Sequence, residues 1–278
     1  MTPDTQVSDN RPATRVAAIL KQAGSVAGAL AATEERVRQH PRAFEARWEL
    51  FQWLCVIADW PRALKQLQVA TQLAPDFGQT ALVYRDLIRS EVFRCDVFAG
   101  KRKPGNLLAS PAWLDDLLLA LQHNGEASTE AADHYRNQAF ERVPDVAGSI
   151  DGHAIAWITD SDTRLGPACE IIAAGQYAWL PFCQMRSLRV QAATGLLDVV
   201  WTAVAAVLAD GSTVRGFVPT RYPGSERGVD SIRLARTTVW QDHGLTGVFA
   251  LGQKTWTTDT GDTGLLDLRD CIVAPCHV

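Results

Sequence analysis

Apolar residues in the first half of the chain recur every three to four positions, the spacing of a helix that buries one face. Val26, Leu30 and Val37 form one such stripe, and a second one includes Trp48 and Cys55. The pattern therefore predicts amphipathic helices that pack against one another through these stripes.

The helices repeat at a fixed interval. Pro41 and Pro75 are 34 residues apart, as are Ala29 and Ala63, and each alanine precedes its proline by 12 positions. This period is typical of tetratricopeptide (TPR) repeats, in which a small residue allows two helices to approach and a proline follows the second helix. We predict a TPR-like helical domain over residues 1–144, with repeats at about 10–43 and 44–77.

Further helices are predicted up to residue 143. One runs from about Thr80 to Phe93 and is followed by a break at "DVFAGKRKPGN". The segment "SPAWLDDLLLALQ" predicts the next helix, with Ser110 as its N-cap, and the last helix has Ser128 as a candidate cap and stops at Pro144.

From Gly148 onward the pattern becomes short and strand-like. "HAIAWITD" predicts a strand, "CEIIAAGQYAWLPF" predicts two strands, and "VWTAVAAVLADGSTVRGFVP" predicts a hairpin that turns at Asp210-Gly211. "KTWTTDTGDTGLLDLRDCIV" predicts two more strands, and short helices are expected at "PFCQMRSL" and near Val229 to Leu234. The fold class is therefore α+β, with a β-rich domain over 148–278 built as a curved antiparallel sheet or a small barrel.

Composition narrows the class of protein. The 278 residues are 47% hydrophobic and 21% charged, which suits a chain with a real core, and the net charge of -4 disfavours nucleic-acid binding. No apolar run is long enough to span a membrane, and the polar N-terminus does not resemble a secretory signal. Six scattered cysteines fit reduced thiols, so we expect a cytoplasmic protein.

No segment predicts a metal or cofactor site. The chain has neither a Walker phosphate loop nor a G-x-G-x-x-G motif, and "TDTGDTG" is better explained as a hairpin turn. The best metal candidate is "CIVAPCH", from Cys271 to His277, but it lacks the second ligand pair of a zinc site. We expect no cofactor and no metal.

Catalytic residues are equally hard to find. His153, His243 and His277 lie in no recognisable nucleophile–base context, and Ser225 lacks the G-x-S-x-G elbow. A carboxylate pair could come from Asp160, Asp162 and Glu170, but nothing in the sequence distinguishes them from a solvated loop. An enzyme is disfavoured, and no catalytic residue is assigned.

Two loops share a pattern. "TRLGP" contains Arg164, and "TRYPG" contains Arg221, Tyr222, Pro223 and Gly224, of which the last two suit the centre of a type II turn. The favoured interpretation is that both arginines anchor their loops by bonding carboxylates or carbonyls. The alternative is that they form a surface for an acidic partner.

These residues also carry a family resemblance. The stretches "DSDTRLGPACEIIAAGQYAWLPF", "RSLRV", "LLDVVWTAVAAVLADGSTVRGFVPTRYPGSE" and "IRLARTTVW" resemble the ImpE/TagJ family of type VI secretion accessory proteins. Their order, their spacing and the helical first half also match, so the resemblance covers nearly the whole chain.

The resemblance implies a non-enzymatic role in the cytoplasm. Family members are thought to bind the N-terminal segment of the sheath protein TssB and to associate with ClpV, the AAA+ ATPase that recycles contracted sheath. Two alternatives remain open: a general TPR adaptor unconnected with secretion, and an enzyme that uses the second domain.

A partner surface follows from the repeat frame, because TPR repeats usually bind peptides on the face lined by the first helix of each repeat. This frame predicts a surface made of Trp48, Gln52, Cys55, Val56, Leu82, Asp86 and Arg89. An amphipathic helix would suit this mixture of aromatic, aliphatic and charged residues. Core packing of Trp48 and Val56 is an equally good explanation, and the partner could instead use the β-rich half.

Overall fold

Helices form the first part of the chain, as the apolar spacing predicts. The structure, a computed structural model, describes residues 24–274. Within that range six α-helices precede the main β-rich region. They are α1 (Val26–Gln39), α2 (Phe44–Val56), α3 (Trp60–Leu73), α4 (Gly78–Phe98), α5 (Ala112–Gly125) and α6 (Thr129–Arg142).

Local signals account for the helix starts near the N-terminus. The Ser25 hydroxyl accepts a hydrogen bond from the Gly28 N–H at 3.0 Å, and Asp59 caps α3 in the same way. Helices α2 and α3 form an antiparallel pair within residues 44–77, and Ala63 is fully buried where they meet. In the interval 10–43 only α1 falls within the described residues, because positions 10–23 lie outside them.

Three helix details differ from the sequence-based expectations. Helix α4 is longer than predicted and covers Gly78–Phe98. Ser110 is not the cap of α5, because the N-cap position is taken by Pro111, which has no capping side chain. Ser128 does occupy the N-cap position of α6, but its hydroxyl makes no capping bond.

The β-rich part is built on one open sheet of nine strands. The strands are β1 (Gly105–Asn106), β2 (Gly148–Ile150), β3 (His153–Ile155), β5 (Ala168–Ala173), β6 (Gln176–Pro181), β7 (Met185–Val190), β8 (Trp201–Leu208), β9 (Thr213–Pro219) and β14 (Asp270–Val273). Their spatial order is β1-β6-β5-β9-β8-β7-β14-β2-β3, and the sheet does not close into a barrel. The α+β class is confirmed, with the open sheet rather than the barrel.

Two smaller sheets and a short helix complete the fold. They consist of β4 (Ile158–Asp160), α7 (Asp230–Arg233), β10 (Thr238–His243), β11 (Gly247–Gly252), β12 (Thr255–Thr258) and β13 (Gly261–Gly264). Strands β10 and β11 form an antiparallel hairpin, and the other small sheet has the order β13-β12-β4.

Several strand predictions need correction. "HAIAWITD" forms two strands in different sheets, β3 and β4, rather than one. "PFCQMRSL" is a single 3-10 turn that leads into β7, and the segment from Lys254 to Val273 holds three strands instead of two. Strand β1 was not predicted, since it pairs in parallel with the distant β6.

The sheet separates two hydrophobic cores. In β6, Tyr177 and Trp179 face the helices, while Ala178 and Leu180 face the opposite side, as strand alternation requires. Phe98 of α4 packs on Trp179 with ring centroids 6.2 Å apart. The helical part therefore shares one continuous core with the sheet. No helix within residues 24–274 is long and apolar enough to cross a membrane.

Candidate functional site

The loop around Arg164 is held against the protein interior by hydrogen bonds and cation–π contacts. The Arg164 Nε donates to the Asp162 carboxylate at 2.9 Å, and its guanidinium lies over the rings of Phe98 and Phe249 at 5.1 and 4.5 Å. Asp162 is fully buried and also accepts from the backbone N–H of Ala250 at 2.9 Å. Arg164 thus joins the end of α4 to β11 and is largely withdrawn from solvent.

Arg221 is also buried and bonds backbone carbonyls. Its Nη1 donates to the carbonyl of Val56, the last residue of α2, at 2.8 Å and to the carbonyl of Arg233 at 2.5 Å. Its own carbonyl accepts from Arg94 of α4 at 2.8 Å. Burial lowers the pKa of Arg221 to about 10. The side chain therefore connects α2 with α7, and the backbone carbonyl of Arg221 adds α4.

The rest of this loop turns inward behind Arg221. The Ser225 N–H donates to the Tyr222 carbonyl at 3.3 Å, and Gly224 has φ of 93°, which completes a type II turn around Pro223 and Gly224. The Ser225 hydroxyl donates to the Tyr222 carbonyl at 2.6 Å and accepts from the Gly252 N–H at 2.8 Å. Both bonds of the Ser225 hydroxyl therefore stabilise the turn.

Tyr222 leads from this loop to a buried charge cluster. Its hydroxyl donates to Asp160 Oδ1 at 2.7 Å and accepts from the backbone N–H of Thr255 at 2.9 Å. Lys254 Nζ lies between two carboxylates, 3.2 Å from Asp160 Oδ2 and 2.7 Å from Glu170 Oε2. Arg94 binds the Glu170 carboxylate with both Nε, at 2.5 Å, and Nη2, at 2.9 Å.

Electrostatics within the cluster explain its charge states. Burial raises the pKa of Asp160 to about 6, even though Lys254 opposes the shift. Burial also acts to raise the pKa of Glu170, but Arg94 and Lys254 outweigh it and hold that pKa at about 2. Burial acts to lower the pKa of Lys254, yet the two carboxylates raise it above its usual value. Lys254, Arg94 and Glu170 therefore carry their charges at neutral pH.

The sequence did not reveal this cluster. Asp160, Asp162 and Glu170 resemble solvated loop residues in the sequence, but all three are buried. One signal was available: Glu170 lies inside the apolar run "CEIIA", where an unpaired carboxylate would be costly and a buried cation must be near. Arg94 and Lys254 could not be identified as its partners, because they are 76 and 84 residues away in the chain.

The predicted partner surface is only partly exposed. Cys55 and Val56 are fully buried, because α2 packs against the sheet side of the molecule, so they belong to the core rather than to a surface. Gln52 is half-buried. Trp48 is half-buried in an aromatic group, with its ring 5.0 Å from Phe51, 4.9 Å from Phe77 and 5.3 Å from Tyr84.

The residues predicted on α4 lie together at the surface. Leu82 is 49% exposed, and Asp86 and Arg89 follow it at helical spacing and form an ion pair at 3.3 Å. The neighbouring Val83 is 43% exposed. We call the side chains of Leu82, Val83, Asp86 and Arg89 the α4 stripe. Trp48 contacts this helix through Tyr84 and lies behind the stripe.

Metal-binding groups are not assembled in the part of the chain that the structure describes. Within residues 24–274 no group of three or more His, Cys, Asp or Glu side chains is placed to hold an ion, and the five cysteines there form no disulfide. Cys271 is buried in β14, and Cys276 and His277 lie outside the described residues.

Comparisons with known proteins place the chain in a family. The model of the ImpE protein family matches residues 152–272. The type VI secretion system accessory component TagJ of Pseudomonas aeruginosa is 41% identical over 262 residues, which cover 94% of this chain and 92% of that protein. A crystal structure of a Vibrio parahaemolyticus protein superposes with a TM-score of 0.84 at 24% identity, covering 92% of this chain and 96% of the other, and so supports the fold. The chain therefore belongs to the ImpE/TagJ family.

Proposed function

We propose that this protein is a non-catalytic accessory protein of a type VI secretion system and works in the cytoplasm. The observation that carries the proposal is the 41% identity, over almost the full length, to a protein named as a type VI secretion accessory component. At that identity and coverage the two chains share their fold.

The buried charges favour a binding role over catalysis. Lys254, Asp160 and Glu170 would suit acid–base chemistry by residue type, but their side chains have no exposed area through which a substrate could reach them. The Ser225 hydroxyl is bonded within its loop, and the Tyr222 hydroxyl is bonded to Asp160. An enzyme in the β-rich half remains the weaker alternative.

The partners we propose are those that the family resemblance implies: the N-terminal segment of the sheath protein TssB, and the ATPase ClpV. For the TssB segment we propose the α4 stripe as the contact, because it combines two exposed aliphatic side chains with one charge of each sign. An amphipathic helix fits such a surface through apolar anchors at its centre and charged residues at its edge. Cys55 and Val56 are no longer part of the proposed surface.

The charged residues of the stripe also suit a role in selecting the partner. Arg89 is exposed and bound only at 3.3 Å to the half-buried Asp86, so it can exchange this contact for a partner carboxylate at little cost. Trp48 is unsuitable as a first test residue, because its three aromatic neighbours would lose packing with it.

A binding assay tests the stripe directly. We expect the double variant Leu82→Ala, Arg89→Ala to bind a fluorescent TssB N-terminal peptide about tenfold or more weakly in fluorescence anisotropy, because truncating a central apolar anchor and a charge removes about 1.4 kcal/mol or more. Leu119→Ala is the control, since Leu119 is 38% exposed on another helix, α5.

Two results would count against the proposal in different ways. Unchanged affinity of a well-folded double variant would move the TssB contact elsewhere on the surface. Absence of any binding by the unaltered protein to TssB peptide and to ClpV would favour the second candidate, a general TPR adaptor. Genes for sheath and ATPase beside this one would argue for the secretion role.

A further inference from the structure

A cleft of about 400 Å³ lies between the two parts of the chain, on a side of the protein that the proposed function does not use. One wall is the connecting segment 143–146, and the other is strand β4 with Trp157 just before it. Apolar side chains dominate the lining, including Phe140 and Trp157. We call this the linker cleft.

Strand β4 lines the linker cleft and has one edge that no described strand pairs with. It is an outer strand of the sheet β13-β12-β4, and within residues 24–274 no other strand pairs with it. The Ser161 N–H donates to the Thr255 carbonyl of β12 at 3.0 Å. Because backbone groups alternate in direction along an antiparallel strand, Thr159 also faces β12, whereas Ile158 points its N–H and C=O away from it.

At the Asp160 end of this edge, the backbone N–H already has a partner. The Asp160 N–H donates to the Gly166 carbonyl at 2.7 Å, so it is occupied. Ile158 is thus left with one donor and one acceptor, the pair that a single residue of an added antiparallel strand would satisfy.

The opposite wall, segment 143–146, also contains extended backbone without strand partners among the described residues. Val143 ends α6 with extended backbone angles of -75° and 127°, and Pro144 follows it. Within residues 24–274 the segment 143–146 makes no backbone–backbone hydrogen bond. Both walls of the linker cleft therefore contain extended backbone that is not fully paired with other described backbone.

Charge favours one class of occupant. The residues that line the cleft include two aspartates, Asp145 and the buried Asp160, and no lysine or arginine. Asp160 is matched by Lys254, but Asp145 is exposed and has no ion pair within the described residues. Trp157 is 36% exposed beside them, and an aromatic face attracts cations.

We infer that the linker cleft binds an extended segment of another protein, in which a bulky apolar residue is flanked by lysine or arginine. The apolar side chain fills the cleft against Trp157 and Phe140. The segment's backbone pairs with Ile158 at the open edge of β4, and a basic residue lies next to Asp145. This mode is strand addition, which takes affinity from main-chain bonds and selectivity from side-chain pockets. It does not depend on the α4 stripe or on TssB.

The experiment is a selection of phage-displayed random heptapeptides on the full-length protein, followed by fluorescence anisotropy with the selected peptides. We expect enrichment of sequences with an aromatic or large aliphatic residue next to Lys or Arg. Trp157→Ala and Asp145→Lys should each weaken binding about tenfold, as loss of an anchor or reversal of a complementary charge does. Leu119→Ala and Asp76→Lys are the matched controls, because both positions are exposed and lie outside the cleft.

Backbone pairing has a separate readout. The amide hydrogen of Ile158 should exchange with solvent more slowly when a selected peptide is bound, whereas a ligand held only by its side chains would leave that exchange unchanged and contradict strand addition.

Other outcomes would also overturn the inference. They are the absence of any enriched peptide, and selected peptides that bind both cleft variants as well as the controls. If removal of residues 1–23 increases peptide affinity, the chain's own N-terminus occupies the cleft instead. If light scattering shows a dimer that Trp157→Ala dissociates, the occupant is a second copy of this chain.

Discussion

In the cluster around Glu170, each buried charge lies beside an opposite one. Glu170 is contacted by both Arg94 and Lys254, and Lys254 is shared with Asp160. Removing one member of such a buried group typically costs about 3–5 kcal/mol, because its partner is left charged and without compensation. Asp160 is the exception, since its raised pKa of about 6 allows it to become neutral at mildly acidic pH.

This property gives Asp160 a measurable pH dependence. Its folded-state pKa, about 6, lies above the ordinary value of 3.8, so the folded protein binds more protons than the unfolded chain between these values. The contribution of Asp160 to stability is therefore fully present below about pH 4 and falls as the pH rises to about 6. Asp160→Asn, which cannot ionise, lacks this loss.

We compare the free energy of unfolding of the wild-type protein with that of Asp160→Asn at each pH. The wild-type value minus the variant value should fall by up to about 3 kcal/mol between pH 4 and pH 6.5, at about 1.4 kcal/mol per pH unit. Urea unfolding at a series of pH values measures this difference. Asp76→Asn, at an exposed position, should show almost no such change. A difference for Asp160→Asn that stays constant over the range would mean that Asp160 keeps its charge throughout.

At the scale of secondary structure, elements with local signals were predictable from the sequence. The turns at Ala174-Gly175 and Asp210-Gly211 are present, and the glycines there have φ of 73° and 89°. The β1–β6 pairing was not predictable, because it joins two residues of a loop to a strand more than 70 positions away. The split of "HAIAWITD" depends in the same way on which distant strand each half pairs with.

The predicted surface residues show the same limit. The repeat frame selected Leu82, Asp86 and Arg89, and in the structure these three lie along one side of α4. The frame could not show that Cys55 and Val56 are covered, because the covering residues belong to the other half of the chain. Arg221, which donates to the Val56 carbonyl, is 165 residues away.

Strands β5 and β9 lie so close at Gly216 that this position is sensitive to an added side chain. A Cβ atom there would lie 2.3 Å from the Ile172 carbonyl oxygen of β5, a backbone atom that cannot rotate aside. We expect Gly216→Ala to lower the free energy of unfolding by about 2 kcal/mol or more, as overpacking does. Gly195→Ala is the matched control, because a Cβ there meets nothing within 4 Å. Equal denaturation midpoints for the two variants would show that β5 and β9 separate easily.

For the whole molecule, several buried contacts join the helical and β-rich parts. The Arg94–Glu170 pair, the bond from Arg221 to Val56, and the packing of Phe98 on Trp179 all cross between them. Their burial in one shared core means that separating the parts would expose charges and aromatic rings together. We propose that residues 1–144 and 148–278, although distinct in sequence pattern, fold as one unit.

One unfolding transition should follow from this arrangement. In urea, the helical signal in far-ultraviolet circular dichroism and the tryptophan fluorescence should change with the same midpoint. Residues 1–144 and 148–278, expressed separately, should each fail to show a cooperative transition. Two separated midpoints, or two fragments that each unfold cooperatively, would establish independent domains.

The position of β14 has a consequence for how the protein is made. Although it is the last strand within residues 24–274, it lies inside the sheet, between β7 and β2, and pairs with both. During synthesis, β2 and β3 leave the ribosome long before β14. Until β14 is made, β2 has no strand on the side where β14 pairs with it. A nascent chain interrupted before Asp270 would leave the facing edges of β7 and β2 unpaired and open to other chains, so β14 must be made before this sheet is protected from aggregation.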